Sequence, residues 1–84
     1  MNTLFSVTPR LARLLGSKCR EYLHHLQGMT DIPAYVHISE ALRYAGLSYT
    51  AKTPERQCLQ YCRAQRALVQ GIRVACGLPA RLHP

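Results

Sequence analysis

The stretch Thr53–Gly77, TPERQCLQYCRAQRALVQGIRVACG, decides the fold. It reads as one helix with signals at both ends. Thr53 offers a side-chain oxygen to an open backbone N–H, Pro54 has the φ of a first helical residue, and Glu55 sits at the positive end of the dipole. Gly77 suits the left-handed residue that ends many helices, and Pro79 blocks any resumption. At about 100° per residue, Cys58, Tyr61, Cys62, Ala64, Leu68, Val69, Ile72, Ala75 and Cys76 share one arc. Arg56, Arg63, Arg66 and Arg73 fall on the far side within roughly 100° of one another, with Gln60 and Gln70 beside them. Gln65 interrupts the apolar arc, and Leu59 and Val74 lie on or near the basic one. A buried glutamine needs hydrogen-bond partners. Gln65 therefore marks either a polar contact between helices or a face that is not fully closed.

Toward the N-terminus the same cap chemistry recurs at Thr8-Pro9. The helix it opens is expected over 9–27, with Gly28 as its stop. Leu11, Ala12, Leu14, Leu15, Cys19, Tyr22, Leu23 and Leu26 form its apolar arc. Arg10, Arg13, Ser17, Arg20 and His24 form its polar one. Gly16 is an interior weakness of about 1 kcal/mol against alanine unless another helix crosses closely there. Leu4, Phe5 and Val7 precede the helix and suit one end of a bundle. A further helix is expected over 32–45, with Asp31 as cap and Pro33 in its first turn. Ala34, Tyr35, Ile38, Ala41, Leu42 and Ala45 share its face. Gly46 is read as its stop, Leu47 as the apolar contact that follows such a cap, and 47–52 as a loop. The third helix spans 54–76, and 78–84 is a loose tail. Three amphipathic helices with short links predict an all-α fold, a small three-helix bundle forming one domain, as a monomer or a homodimer.

The composition narrows the partners. Eleven Lys and Arg stand against four Asp and Glu, a formal charge of +7. Nine of the eleven are arginine, whose planar fork grips phosphate and carboxylate. A GC-rich genome would raise Arg and Ala as well. Solvated helices usually interleave acids and bases. The third helix has Glu55 at its start and no acid after it, so its stripe calls for a partner that brings the negative charge. No apolar run reaches the roughly 20 residues that cross a bilayer. An amphipathic basic helix also fits a membrane surface, but Trp is absent and Phe5 is the only phenylalanine. The first 20 residues contain no acid, as in transit peptides, yet removing them would cut the first helix.

Specific chemistry is weakly indicated. Cys58 and Cys62 lie one turn apart, and Cys19 and Cys76 fall on apolar arcs. One such pair does not make the two-pair pattern of zinc sites. An i,i+4 disulfide would strain a helix. All four cysteines are expected as buried core thiols in a reducing, cytoplasmic setting. Inward-facing thiols do not serve a Cys–His pair, and no nucleophile elbow, glycine-rich phosphate loop or paired inward carboxylates occur. No enzyme, cofactor, metal or small-molecule substrate is expected. The span from Gly46 to Thr53 is about twice the turn of a compact helix-turn-helix. The expected function is a non-enzymatic, regulatory binding protein that engages nucleic acid or a nucleic-acid-processing assembly. Its expected contacts are Arg56, Arg63, Arg66, Arg73, Gln70, Arg13 and Arg20. The alternative is a protein-interaction module, an accessory subunit or inhibitor docking on an acidic protein surface.

Overall fold

The computed structural model describes residues 7–26 and 32–78. Three helices follow in order: α1 (Pro9–Leu26), α2 (Ile32–Thr50) and α3 (Pro54–Ala75). They pack as a small three-helix bundle. The expectations for Leu4, Phe5, Gln27, Gly28, Asp31 and Pro79 fall outside the described residues.

The predicted ends of α1 and α3 hold where they are described. Thr8 Oγ1 accepts from Leu11 N at 3.2 Å, and Thr53 Oγ1 accepts from Arg56 N at 3.2 Å. Thr53 itself is extended, with φ −125° and ψ 151°. At the other end Gly77 takes φ 80°. Leu78 N donates to Arg73 O at 2.8 Å and Gly77 N to Val74 O at 3.0 Å. These two bonds close the last carbonyls in the manner of a Schellman motif.

α2 differs from expectation. It does not stop at Ala45 but runs on through Gly46 to Thr50, so most of the expected loop is helix and only 51–53 connect α2 to α3. The reason lies on the face that α2 turns toward α3. Ser48 is buried, and its hydroxyl donates to Gln57 O at 2.8 Å. Gln57 Nε2 in turn donates to Ala51 O at 3.2 Å. Tertiary packing and these bonds outweigh the intrinsic preference of glycine to end a helix. Leu47 is thus an exposed residue within a helix, not a cap contact. Gly46 is exposed in a helical backbone with nothing within 4 Å of where a Cβ would lie. Gly46→Ala is accordingly expected to stabilise the protein by about 0.5–1 kcal/mol in urea denaturation. A loss of stability would mean that α2 does end at Gly46.

α2 is the middle helix. It packs along α1 and along α3, whereas α1 and α3 meet only briefly. Small residues are prominent on the buried faces of both helices: Ala34, Ala41, Ala45 and Ser48 of α2, and Ala64, Ala67 and Gly71 of α3. A Cβ placed on Gly71 would run into Ile38 Cγ1, with His37 Cβ 3.2 Å away. Gly71 and Gln57, both against α2, are about 21 Å apart along α3, so the two helices lie side by side rather than crossing steeply. The short connector removes the length objection to a helix-turn-helix, but this antiparallel packing is not the 90–120° arrangement of that motif. On α1, Gly16 is buried, and a Cβ there would meet Leu42 Cδ1 at 3.7 Å and Ala45 Cβ at 3.8 Å, an ordinary contact. Cys19, Ile38, Ala41, Ala67 and Leu68 form the centre, with Leu15, Tyr22, Leu23, Leu26, Leu42 and Ile72 packed around it. Val7 is also buried.

The buried face of α3 is rotated from the predicted arc. Tyr61, Ala64 and Leu68 are buried as expected, but so are Ala67 and Gly71. Cys62, Val69, Ala75 and Cys76 are exposed, and Gln65 is exposed among them. Gln65 therefore marks an open face. Val74 is half-buried and Leu59 is exposed. Leu14 and Tyr35, expected inside, are exposed at 56% and 47%. Two neighbouring small faces suffice to dock α2 and α3 closely, so the larger apolar residues at the edges are left outside.

Candidate nucleic-acid interface

Several of the basic side chains flank α2. On one flank, Arg13 and Arg20 of α1 border a groove of about 340 Å³. Its floor is made of Ala12, Gly16, Ala45 and Gly46, and Leu42 and Tyr49 complete it. Small residues form much of this groove, and Leu42 and Arg20 reach to its edge beside Gly16. Arg13 and Arg20 are seven residues apart, so α1 presents them about 10 Å apart on one line.

On the other flank, Arg63 of α3 approaches α2, with its guanidinium carbon 6.0 Å from the centre of the Tyr44 ring. Arg43 lies over the same ring at 4.7 Å. Tyr44 is half-buried and holds two guanidinium groups by cation–π attraction. Arg56 is exposed and lies seven residues before Arg63, on the same line of α3. Between Arg56 and Arg63, Gln60 Oε1 is buried with no hydrogen-bond partner among the described residues. A buried acceptor in that state invites a donor from outside.

Carboxylates do not neutralise this array. Glu40 pairs with Arg43 at 3.0 Å, and Glu21 pairs with Lys18 at 3.3 Å. Both pairs are exposed, so solvent screens them and they hold little charge in place. Among the described residues, Arg10, Arg13, Arg20, Arg56 and Arg66 have no carboxylate partner.

The seven residues expected as contacts do not form one patch. Arg13, Arg20, Arg56 and Arg63 are exposed and border α2. Arg66 is exposed on the other edge of α3, beside Cys62 and Val69, and Arg73 and Gln70 are half-buried. Arg43 is not legible as part of a site from the sequence, because it is the only Lys or Arg in α2. Only the fold brings Arg63 to its neighbour Tyr44.

The cysteines divide by environment, which corrects the expectation of four core thiols. Cys19 is buried, Cys58 is half-buried, and Cys62 and Cys76 are exposed. The displaced buried face of α3 is the cause. Burial pushes the Cys19 thiol above its ordinary pKa, against a smaller opposite pull from Arg20. The Cys62 thiol is also pushed up, first by local desolvation and then by Cys58 beside it, while Arg66 pulls the other way. In the folded protein a thiol reagent is expected to modify Cys62 and Cys76 and spare Cys19, which should react only on unfolding. Modification of Cys62 should speed up as pH rises above the usual thiol range, since the thiolate is the reactive form. Mass mapping of labelled peptides gives the order, and early labelling of Cys19 would contradict its burial.

Among the described residues, no group of three or more His, Cys, Asp or Glu is placed to hold a metal ion. Nor, among them, is any helix long and apolar enough to cross a membrane. Comparison with protein-family models, curated proteins and solved structures finds no match.

Proposed function

We propose that this is a small non-enzymatic protein that binds nucleic acid through phosphate contacts, acting in the cytoplasm on its own or within a nucleic-acid-processing assembly. One observation carries the reading. Arginines from all three helices flank α2, and among the described residues only Arg43 of them has a carboxylate partner. Arginine forks suit phosphate oxygens, and groups spaced along two flanks track a backbone rather than grip a single small anion. Tyr44 pre-orients Arg43 and Arg63, and Tyr49 adds an exposed ring at the groove. Phosphate contacts position a protein without reading bases, so the binding has little sequence preference.

The full chain is titrated with a short DNA duplex and with a single strand, each at two salt concentrations. Affinity is expected to fall steeply with salt, by a log–log slope of about −0.9 per phosphate neutralised on duplex. No binding at low salt, from a chain of charge +7, would overturn the reading and leave the arginines to an acidic protein surface.

A further inference from the structure

The exposed edge of α3 carries a second pattern of which the bundle uses only Ile72 and part of Cys58. Residues 58, 62, 65, 69, 72 and 76 are spaced by alternating steps of four and three. This is the 3.5-residue repeat of a helix-packing seam, sustained for more than two heptads. Cys62, Gln65, Val69 and Cys76 are exposed, and Cys58 and Ile72 are half-buried. α2 packs on a different face of α3, and α1 meets α3 only briefly. Cysteine occupies three of the six positions, so a second helix can approach closely. Gln65 is the polar member, a residue type that fixes register in such seams.

The flanks say what kind of helix fits. On the core side of the seam, Tyr61 and Leu68 are buried. On the open side stand Leu59 and the exposed Arg66, at the position that meets a partner's charges. A second copy is a poor match. In an antiparallel pair Arg66 would meet Arg66 of its partner, and each copy carries +7, which favours the monomer. A lipid surface is a poor match too, since a narrow seam without aromatic residues lacks the wide apolar face of a membrane-surface helix.

We propose that the 58–76 seam of α3 docks an amphipathic helix of another protein, one with aliphatic residues on its seam and acidic residues along the flank facing Arg66. This face is separate from the arginines around α2, so the proposal stands or falls independently of nucleic-acid binding.

The probe is a synthetic helical peptide of about three heptads, with leucine on the seam and glutamate on the flanks, compared with the same peptide carrying lysine on the flanks. Binding to the full chain is read by fluorescence anisotropy. The glutamate peptide is expected to saturate and the lysine peptide to bind at least about tenfold more weakly. Val69→Lys adds positive charge but spoils the seam. It should weaken the glutamate peptide by about tenfold or more while leaving the helical circular-dichroism signal and DNA binding intact. Arg66→Glu, at an exposed position, should reverse the preference between the two peptides. Equal binding of both peptides, no binding of either, or tighter binding of the glutamate peptide to Val69→Lys would overturn the proposal. A dimer in sedimentation that Val69→Lys dissociates would also overturn it, by giving the seam to a second copy.

Discussion

Gly71→Ala is expected to lower the stability of the protein by about 1–2 kcal/mol, and Gly71→Val by 3 kcal/mol or more. Alanine alone would gain about 1 kcal/mol of helix propensity at an unconstrained site. At Gly71 that gain is outweighed, because the new Cβ runs into Ile38 Cγ1 and lies 3.2 Å from His37 Cβ. Neither neighbour is the far end of a flexible chain. Ile38 is β-branched and 1% exposed, so it has no free rotamer to retreat to. The helices must separate, and the small-residue contact between α2 and α3 loosens along its length. A chain of 84 residues has a total stability of roughly 4–12 kcal/mol, so the valine variant forfeits a large share of it. The loss for alanine corresponds to a fall in Tm of roughly 5–15 °C for a domain of this size. Thermal denaturation of Gly71→Ala and Gly46→Ala side by side is the direct check. The same chemical change should shift Tm in opposite directions, and an upward shift in both would show that no close approach exists at Gly71.

Replacing Arg13, Arg20, Arg56 and Arg63 together by alanine is expected to flatten the salt dependence of duplex binding by about 3–4 log units per log unit of salt, and to cut affinity at low salt by about a hundredfold or more. The magnitude follows from counting, since each lost phosphate contact keeps about one counterion on the DNA. All four side chains are exposed, and none of them has a carboxylate partner among the described residues. Surface changes of this kind usually alter stability by less than about 0.5 kcal/mol each, so the fold should survive. Arg66→Ala is the matched control. It removes one equally exposed positive charge from the other edge of α3 and should leave the slope nearly unchanged. If the fourfold variant keeps the slope of the parent chain, phosphates are not bound around α2. If Arg66→Ala flattens the slope as much as any one of the four, the whole basic arc of α3 is engaged and the division between its two edges is wrong.

The helices at the two ends of the chain were readable from short local signals. Thr8-Pro9, Thr53-Pro54 and Gly77 each act through backbone bonds to residues a few places away, and such bonds depend little on the rest of the fold. Gly46 carries a signal of the same kind, but Ser48 and Gln57 override it from across the corner. A sequence does not display that nine-residue hydrogen bond. The phase of α3 was misread for a different reason. Ranking residues by hydrophobicity favours Cys62, Val69 and Cys76 over Ala67 and Gly71. Close packing selects the small residues instead, because they let two backbones approach. The arginines were visible as a stripe, yet a stripe on one helix cannot show which neighbour it borders. Arg63 lies beside Tyr44 and Arg66 beside the open seam, an assignment that only the packing of α2 fixes.

The middle position of α2 has a consequence for how the chain finds its shape. Each helix rests mainly on the one next to it in sequence, and the three-residue link at 51–53 keeps α2 and α3 close from the start. Few distant segments need to meet, so little loop-closure entropy stands between the unfolded chain and the first packed pair. The α2–α3 hairpin is expected to pack first with α1 joining its side, and α1 is then expected to be the first helix to detach. Such an opening would separate Arg13 and Arg20 from Tyr49 and widen their groove, without disturbing the seam on α3.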